Sequence, residues 1–351
     1  MDSSGLDVKA ETPAVKRQRV VAETPFLAVK EPEITSRTPF VPPPGEALEY
    51  LSLVTSEGPR SVLLCGDMYG HLDILHSKLI RVADEVDFVL AVGKFLPPNS
   101  MSSRMSDYVG ANALRQLPVP VYFIDSASEV FIKQAEEAKK PVLLQPNLSF
   151  LGSCGVTEVE GLRIAFLSGC YDPDVFKQQW GRGLYAGPHY TSLAIERIEK
   201  KAAEMHRRGE RIDILLTSEW PDKVWSSHTK RWVAPIVQKD CASPAVSRLV
   251  AKLCPQFHVH GLADRFSRVR SERRAGATTA VALAHVRDRI PDGMVEDEYK
   301  WFELLSIRAT PRAPIAPVIV DIEDDDLVLE TKKEYPLAPK EEPEVGVETI
   351  A

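Results

Sequence analysis

The stretch Ile212-Asp213-Ile214-Leu215-Leu216-Thr217-Ser218-Glu219-Trp220-Pro221 is the part of the chain that decides the fold. It begins as a short apolar run of the kind that forms a buried strand, and it then becomes polar ahead of a proline. Four further apolar runs of this kind predict strands over residues 61–65, 88–92, 121–124 and 164–167.

Segments with helical spacing separate these strands. Apolar residues three or four positions apart predict two amphipathic helices, with the faces Leu72, Leu75, Leu79 and Val82, and Ile195, Ile198, Ala202 and Met205. The second should end at Gly209, and Ser243-Pro244 predicts the start of a helix that runs to Leu253. The late runs 279–286 and 301–307 predict a closing pair of strands. This order of strands and helices favours an α/β fold with layered sheets.

Composition limits the class of protein. Hydrophobic residues make up 44% of the 351 residues, which is enough for a buried core. No apolar run approaches the roughly 20 residues of a membrane span, and the first residues lack the apolar segment of a secretory signal. Five widely spaced cysteines without a C-x-x-C pair argue against a disulfide framework or a zinc knuckle. We therefore expect no membrane partner, and a reducing compartment.

Charge is distributed unevenly along the chain. From Ala309 onwards, 11 acidic residues stand against 4 basic ones, which accounts for the whole net charge of −7. The preceding residues are neutral overall, so they provide no global field for or against nucleic acid. We predict three parts: a disordered Thr-Pro-rich tail over 1–45, a folded body over 46–308, and a disordered Pro-rich acidic tail over 309–351.

Both predicted tails carry short motifs. Three Thr-Pro steps are candidate phosphorylation sites for proline-directed kinases, at Thr12, Thr24 and Thr38, although such steps are also common in disordered chains. The basic cluster 16–19 is a short match to a nuclear import signal. In the acidic tail, a β-branched run beside carboxylates resembles a SUMO-interacting motif, with Val318, Ile319, Val320 and Ile322 as the candidate partner strand. A solvated acidic tail is the alternative.

Ligands in open α/β sheets bind beyond the carboxyl ends of the strands. At those ends, this chain has Gly66-Asp67-Met68-Tyr69-Gly70, Gly93-Lys94-Phe95, Asp125-Ser126-Ala127-Ser128-Glu129, Thr217-Ser218-Glu219-Trp220-Pro221 and His258-Val259-His260-Gly261-Leu262-Ala263-Asp264. The order and spacing of these segments resemble the calcineurin-like metallophosphoesterases. The resemblance implies a layered sheet sandwich, with an edge that in the family holds two metal ions about 3.5–4 Å apart.

The metal ligands of that family are mostly replaced here. Asp67 matches the first aspartate, but Tyr69 stands for a histidine and Lys94 for the bridging aspartate. The asparagine–histidine pair of the family's third motif falls near Ser126 and Ala127. Ser218 stands for the histidine of the fourth motif, and Leu262 and Asp264 stand for the two histidines of the last. We call the matched positions the degenerate site: Asp67, Tyr69, Lys94, Asp125, Ser218, Leu262 and Asp264. Because so few ligands remain, the sequence predicts no metal, no cofactor and no catalytic residue, and hence a pseudoenzyme.

Several runs are similar to the CwfJ-type splicing factors over about residues 60 to 308. They include 64–67, 213–221, 254–258, 278–286 and 300–307. The resemblance implies a nuclear, non-catalytic role in pre-mRNA splicing or lariat debranching, with spliceosomal or debranching proteins and RNA as partners. That family carries further C-terminal modules, including a histidine-bearing region, and we expect their role to be absent here or supplied by another chain.

Other roles remain open at this stage. Asp67, Asp125 and Asp264 could bind one Mg²⁺ in a residual phosphodiesterase, or the chain could be a scaffold subunit of an unrelated complex. We expect Lys94 to form an ion pair with Asp67 instead. His258 and His260 share a strand face, either as metal ligands or as core histidines. A basic cluster, together with Lys94, could contact RNA phosphates, or its members could lie in solvated loops. The cluster consists of Arg265, Arg268, Arg270, Arg273 and Arg274. No cysteine has a base partner visible in the sequence.

Overall fold

The structure is a computed structural model that describes residues 58–97, 103–109, 113–126, 141–177, 183–226, 231–233, 239–273, 276–289 and 295–311. The predicted tail 1–45, with Thr12, Thr24 and Thr38, lies outside these residues. So do Arg274 and the candidate partner strand Val318, Ile319, Val320 and Ile322. No helix among the described residues is long and apolar enough to cross a membrane.

The first sheet of the described part has six strands: β1 (Arg60–Cys65), β2 (Phe88–Ala91), β3 (Val121–Phe123), β4 (Val142–Gln145), β5 (Leu148–Phe150) and β18 (Phe302–Ile307). Their order is β18-β1-β2-β3-β5-β4. The four inner strands are parallel, and the two edge strands run antiparallel to their neighbours. The inner strands β1 and β2 are almost entirely buried, as expected for strands covered on both faces.

The second sheet has the same plan. Its six described strands are β6 (Cys154–Val159), β7 (Leu162–Leu167), β10 (Ile214–Thr217), β15 (Phe257–His260), β16 (Ser267–Arg273) and β17 (Gly276–Ala282). Their order is β16-β17-β15-β10-β7-β6, again with parallel inner strands and antiparallel edges. Three short pairs complete the strands: β8 (Tyr185–Ala186) with β9 (His189–Tyr190), β11 (Trp220–Pro221) with β14 (Ala242–Ser243), and β12 (Val224–Ser226) with β13 (Arg231–Val233).

The helices form where apolar residues recur at helical spacing. They are α1 (Leu72–Val82), α2 (Ser103–Ser106), α3 (Pro173–Lys177), α4 (Ser192–Arg207) and α5 (Pro244–Leu253), with 3₁₀ turns at Ala83–Glu85, Lys239–Cys241 and Glu296–Glu298. The Ser243 hydroxyl accepts a hydrogen bond from the Val246 N–H at 3.3 Å, and Pro244 occupies the first turn, as the sequence predicts.

The core is divided by the sheets. Side chains from facing strands of both sheets, such as Leu64, Leu90, Phe166 and Val259, form a buried cluster between them. A second cluster joins α1 to the outer face of the first sheet, and a third joins α4 and α5 to the outer face of the second. Helix, sheet, sheet and helix therefore pack in layers, which confirms the predicted α/β sheet sandwich.

The predicted closing pair of late strands is wrong. β17 lies in the second sheet between β15 and β16, whereas β18 pairs with β1 in the first sheet. Each late strand therefore extends a different sheet. The basic cluster also contains a strand rather than loops alone, because Ser267–Arg273 pairs along its whole length with β17.

Candidate functional site

The degenerate site lies at the carboxyl ends of the parallel strands, with Asp67 at its centre. The Asp67 side chain is fully buried. Its Oδ1 accepts a hydrogen bond from the Lys94 N–H at 2.7 Å, and its Oδ2 accepts one from the Leu262 N–H at 2.8 Å. Burial raises the pKa of the Asp67 carboxyl, while the nearby His285 and these two N–H groups act in the opposite direction.

Two glycines allow this close approach. A side chain at Gly93, which has a φ of +79°, would collide with Oδ1 of Asp67. A Cβ at Gly261 would lie 2.8 Å from Oδ2. The loops after β2 and β15 therefore close on the carboxylate from two sides, and backbone atoms occupy its immediate surroundings.

The predicted ion pair between Lys94 and Asp67 is wrong. Among the described residues, the bond between them is made by the Lys94 backbone, and the ammonium lies 6.0 Å from the centre of the Tyr69 ring. The Lys94 charge still acts on the Asp67 carboxyl from a distance. An ammonium is not needed at the carboxylate, because two N–H groups already satisfy it.

His285 and Arg287 complete the site, and sequence reasoning missed both. His285 lies between two carboxylates, with Nε2 at 3.7 Å from Oδ2 of Asp67 and Nδ1 at 3.6 Å from Oδ1 of Asp264. Arg287 donates to both oxygens of Asp264, and the His285 N–H donates to Oδ1 at 2.9 Å. Both residues follow β17, whose carboxyl end reaches the same edge as β15. The parallel pairing of β17 would have revealed them, but residues 279–286 were assigned to a closing strand pair.

The other members of the degenerate site have structural partners. Oδ1 of Asp125 accepts the N–H groups of Phe95 at 3.1 Å and Ser126 at 3.0 Å. Ser218 is buried, and its carbonyl accepts the Gly261 N–H at 3.1 Å. The Tyr69 ring meets the His285 ring edge-on, with centroids 5.2 Å apart. The structure thus brings together Asp67, Tyr69, Lys94, Leu262 and Asp264, whereas Asp125 and Ser218 stabilise the adjoining turns.

A metal does not fit the residues present. In the described part of the chain, no three His, Cys, Asp or Glu side chains are grouped so that they could hold an ion. The Asp67 oxygens accept backbone N–H groups, and the Asp264 oxygens accept a guanidinium. These donors occupy the oxygens that a cation would need.

Two further groups near this edge were not predicted: the buried acid Glu219 and the partly buried thiol of Cys170. Glu219 accepts the Tyr190 hydroxyl at 2.6 Å and the Tyr171 N–H at 2.8 Å, and burial raises its pKa to about 7. Cys170 Sγ lies 3.3 Å from Nδ1 of His189, a base partner that the sequence did not show. Burial raises the pKa of Cys170 to about 12, so the thiol is protonated at neutral pH and is a poor nucleophile.

The basic cluster is largely engaged within the chain. Arg268 pairs with Glu303 and Arg270 pairs with Glu272, each at 3.1 Å. Arg273 donates to the carbonyls of Val250 and Ala251 at the end of α5. Arg265 is exposed and makes no ion pair within the described residues. Contact with RNA phosphates therefore stays a prediction.

Comparison with known proteins places the chain among its relatives. No family model matches it. CWF19-like protein 1 of Xenopus laevis is 28% identical over 207 residues, which cover 57% of this chain and 36% of the relative. The homologues of this chain include CWF19-like proteins of several vertebrates. The chain spans well under half of their length, and the resemblance to the CwfJ type that the sequence indicated is confirmed.

Weaker similarity extends beyond the CWF19-like proteins. The lariat debranching enzyme of Homo sapiens is 24% identical over 234 residues, covering 57% of this chain and 42% of that protein. Among solved structures, purple acid phosphatase PPD1 from yellow lupin seeds matches with a TM-score of 0.38 and 13% identity, covering 65% of this chain and 44% of that one. No activity is carried over to this chain from the names of these proteins.

Proposed function

We propose that this chain is a non-catalytic interaction protein in nuclear pre-mRNA splicing or intron-lariat turnover, associated with spliceosomes or acting as a modulator of debranching. The observation that carries the proposal is the similarity of the folded body to CWF19-like proteins, with weaker similarity to lariat debranching enzymes. Its partners would be spliceosomal or debranching proteins, with RNA as a further ligand, and its location would be the nucleus.

The degenerate site supports the non-catalytic part of the proposal. A two-metal phosphoesterase needs carboxylates and imidazoles that are free to ligate cations. Here the Asp67 carboxylate accepts two backbone N–H groups, and that of Asp264 is held by Arg287. The same edge presents the half-exposed Lys94 to partners. It is therefore better suited to docking than to metal-assisted hydrolysis.

A pull-down from nuclear extract tests the role. The full chain carries an affinity tag, and the bound proteins are identified by mass spectrometry with and without RNase. Recovery of late spliceosomal or debranching proteins that survives RNase supports docking to protein, and recovery lost with RNase supports an RNA bridge. Absence of splicing proteins in both conditions contradicts the proposal and favours a scaffold subunit of an unrelated complex.

A charge reversal locates the docking surface. Lys94→Glu should reduce recovery, because it reverses the charge of this side chain at the degenerate site. Lys200→Glu makes the same charge change on α4 and serves as the control, with recovery expected to stay as in wild type.

A cleavage assay tests for residual activity: the purified protein is incubated with branched RNA in Mg²⁺ or Mn²⁺. We expect no cleavage. Metal-dependent cleavage that Asp67→Ala abolishes would replace the proposal with a residual phosphodiesterase.

A further inference from the structure

A cavity of about 270 Å³ lies on the outer face of the second sheet, beside α5 and separate from the degenerate site. Its floor is built by alternate residues of three neighbouring strands. His258 and His260 of β15 stand in register with Ala280 and Ala282 of β17, and Ser267 of β16 pairs with Ala282. The small side chains leave a hollow that the neighbouring side chains do not fill. We call it the sheet-face cavity.

The walls of the sheet-face cavity are mainly apolar. Trp220, Pro221 and Val224 line one side, and Val250 of α5 and Val269 of β16 line others. The Trp220 ring packs edge-on against His260, with centroids 4.5 Å apart. The volume is about nine times the roughly 30 Å³ of a liquid water molecule. It lies just below the range of about 300–1,000 Å³ for pockets of drug-sized ligands, so the cavity fits a single small ring system.

Four polar atoms of this lining are buried without a hydrogen-bond partner among the described residues. They are Nδ1 of His258, Nδ1 of His260, Nε1 of Trp220 and Oγ1 of Thr278. All four side chains are more than nine-tenths buried. A buried polar group without a partner costs free energy, and four of them around one hollow indicate that a polar ligand completes the site.

The hydrogen bonds of Thr217 define what His258 offers. The Thr217 hydroxyl donates to the Glu219 carbonyl at 2.7 Å, so its oxygen accepts from Nε2 of His258 at 2.9 Å. His258 therefore carries its proton on Nε2, and Nδ1 is an acceptor. Burial lowers the pKa of His258 to about 3, which keeps the ring neutral. Trp220 Nε1 is a donor, so the lining of the cavity contains both an acceptor and a donor without partners among the described residues.

Cationic side chains also line the sheet-face cavity. Lys223 and the exposed Arg265 belong to its lining. An uncharged planar ring with both donor and acceptor groups, linked to an anion, combines the chemistry of the apolar walls with that of these cations. A nucleobase linked to a phosphate has this combination, and aromatic stacking on Trp220 would add to its affinity.

We propose that the sheet-face cavity binds the base of a nucleotide, with the attached phosphate at Arg265 and Lys223. The source of the nucleotide is either a free nucleoside monophosphate or one nucleotide of a single-stranded RNA. This inference goes beyond the proposed function, which names RNA without a binding site and does not include a free nucleotide.

Calorimetric titration of the purified full chain tests the inference. The probes are the four nucleoside 5′-monophosphates, the matching nucleosides, inorganic phosphate and a short single-stranded oligoribonucleotide. We expect at least one monophosphate or the oligoribonucleotide to bind more tightly than the nucleoside or phosphate alone. Preference for the monophosphate identifies a free nucleotide as the ligand, and preference for the oligoribonucleotide identifies RNA. Failure of every nucleotide probe to bind overturns the inference.

Two matched variants connect binding to the cavity. Ala280→Leu fills the floor and should weaken binding about tenfold or more, whereas Ala277→Leu lies on the same strand outside the cavity and should not. Circular dichroism confirms folding, and Ser267→Leu replaces Ala280→Leu if that variant does not fold. Arg265→Ala should weaken binding of the monophosphate and leave binding of the nucleoside unchanged. Equal binding by wild type and a folded cavity-filled variant would overturn the assignment, even where the pull-down supports the proposed function.

Discussion

Arg287 donates from one nitrogen to both carboxylate oxygens of Asp264, at 2.5 and 2.7 Å. Asp264 stands where the phosphoesterase pattern has a metal-binding histidine, so the position carries a carboxylate that the protein itself neutralises. A guanidinium stays charged at every accessible pH, and it would repel a cation that approached this carboxylate.

Divalent metal should therefore have little effect on stability. We expect the melting temperature of the full chain to be the same in EDTA and in excess Mg²⁺ or Mn²⁺, because a ligand stabilises a protein only by binding its folded state. Differential scanning calorimetry measures the effect, with Ca²⁺ as a control for general ionic effects. A rise of several degrees that Mn²⁺ produces and Ca²⁺ does not would show a metal site.

The Gly93 turn should tolerate no side chain. Gly93→Ala places a Cβ against Asp67 in a left-handed backbone conformation, whereas Gly161→Ala has a similar φ of +82° and open space around it. The control should lose about 1–2 kcal/mol from backbone strain alone. We expect a clearly larger loss for Gly93→Ala in urea unfolding, and equal losses would show that the close approach to Asp67 has no energetic importance.

The buried ion pair between Arg163 and Asp213 should be important for stability. Arg163 Nε lies 3.0 Å from Oδ2 of the fully buried Asp213, whose Oδ1 also accepts the Thr310 N–H at 2.6 Å. Asp213→Ala leaves a buried guanidinium without its partner and should cost about 3–5 kcal/mol. Glu272→Ala removes the partner of Arg270 in an exposed pair and should cost about 0–1 kcal/mol. Denaturant unfolding distinguishes the two, and similar small losses would contradict the prediction.

Glu219 should make the protein less stable as pH rises. Burial raises the pKa of its carboxyl in the folded state from an ordinary 4.5 to about 7, so the folded protein holds this proton more tightly than the unfolded chain does. The proton's contribution is present in full below about pH 4.5, declines between about 4.5 and 7, and is lost above that.

Glu219→Gln isolates this contribution, because the amide cannot ionise. The difference in unfolding free energy between wild type and Glu219→Gln should change by about 3 kcal/mol at most between pH 4.5 and 8, in the direction that disfavours wild type at high pH. Unfolding in urea at a series of pH values provides the measurement. Parallel pH profiles for the two proteins would show that Glu219 has an ordinary pKa in the folded state.

Apolar periodicity predicted the strands and helices well, because burial of one face or of a whole strand leaves a local pattern. The predicted strand 61–65 appears as Arg60–Cys65, and the predicted helix start at Ser243-Pro244 has the expected cap. The partners of strands are not local. Nothing in residues 301–307 specifies that they pair with β1 at the start of the domain.

The degenerate site could be predicted only in part for the same reason. Its members at strand ends were found from their position, but His285 and Arg287 depend on the placement of β17 in the second sheet. The orientation of Lys94 could not be predicted either, since it depends on how the chain turns at Gly93. The sheet-face cavity combines two histidines of β15 with small residues of β16 and β17, and no motif marks it.

The antiparallel pairing of β18 with β1 places Ile307 opposite Arg60, so the described domain begins and ends at one location. The degenerate site follows the other end of β1, about 20 Å away at roughly 3.3 Å per residue for a six-residue strand. Segments attached to either terminus of the domain thus start side by side, remote from Asp67. A partner that binds both segments would benefit from their high effective concentration while it leaves the opposite edge free for a second partner. This arrangement would allow the domain to bridge two components of a larger assembly.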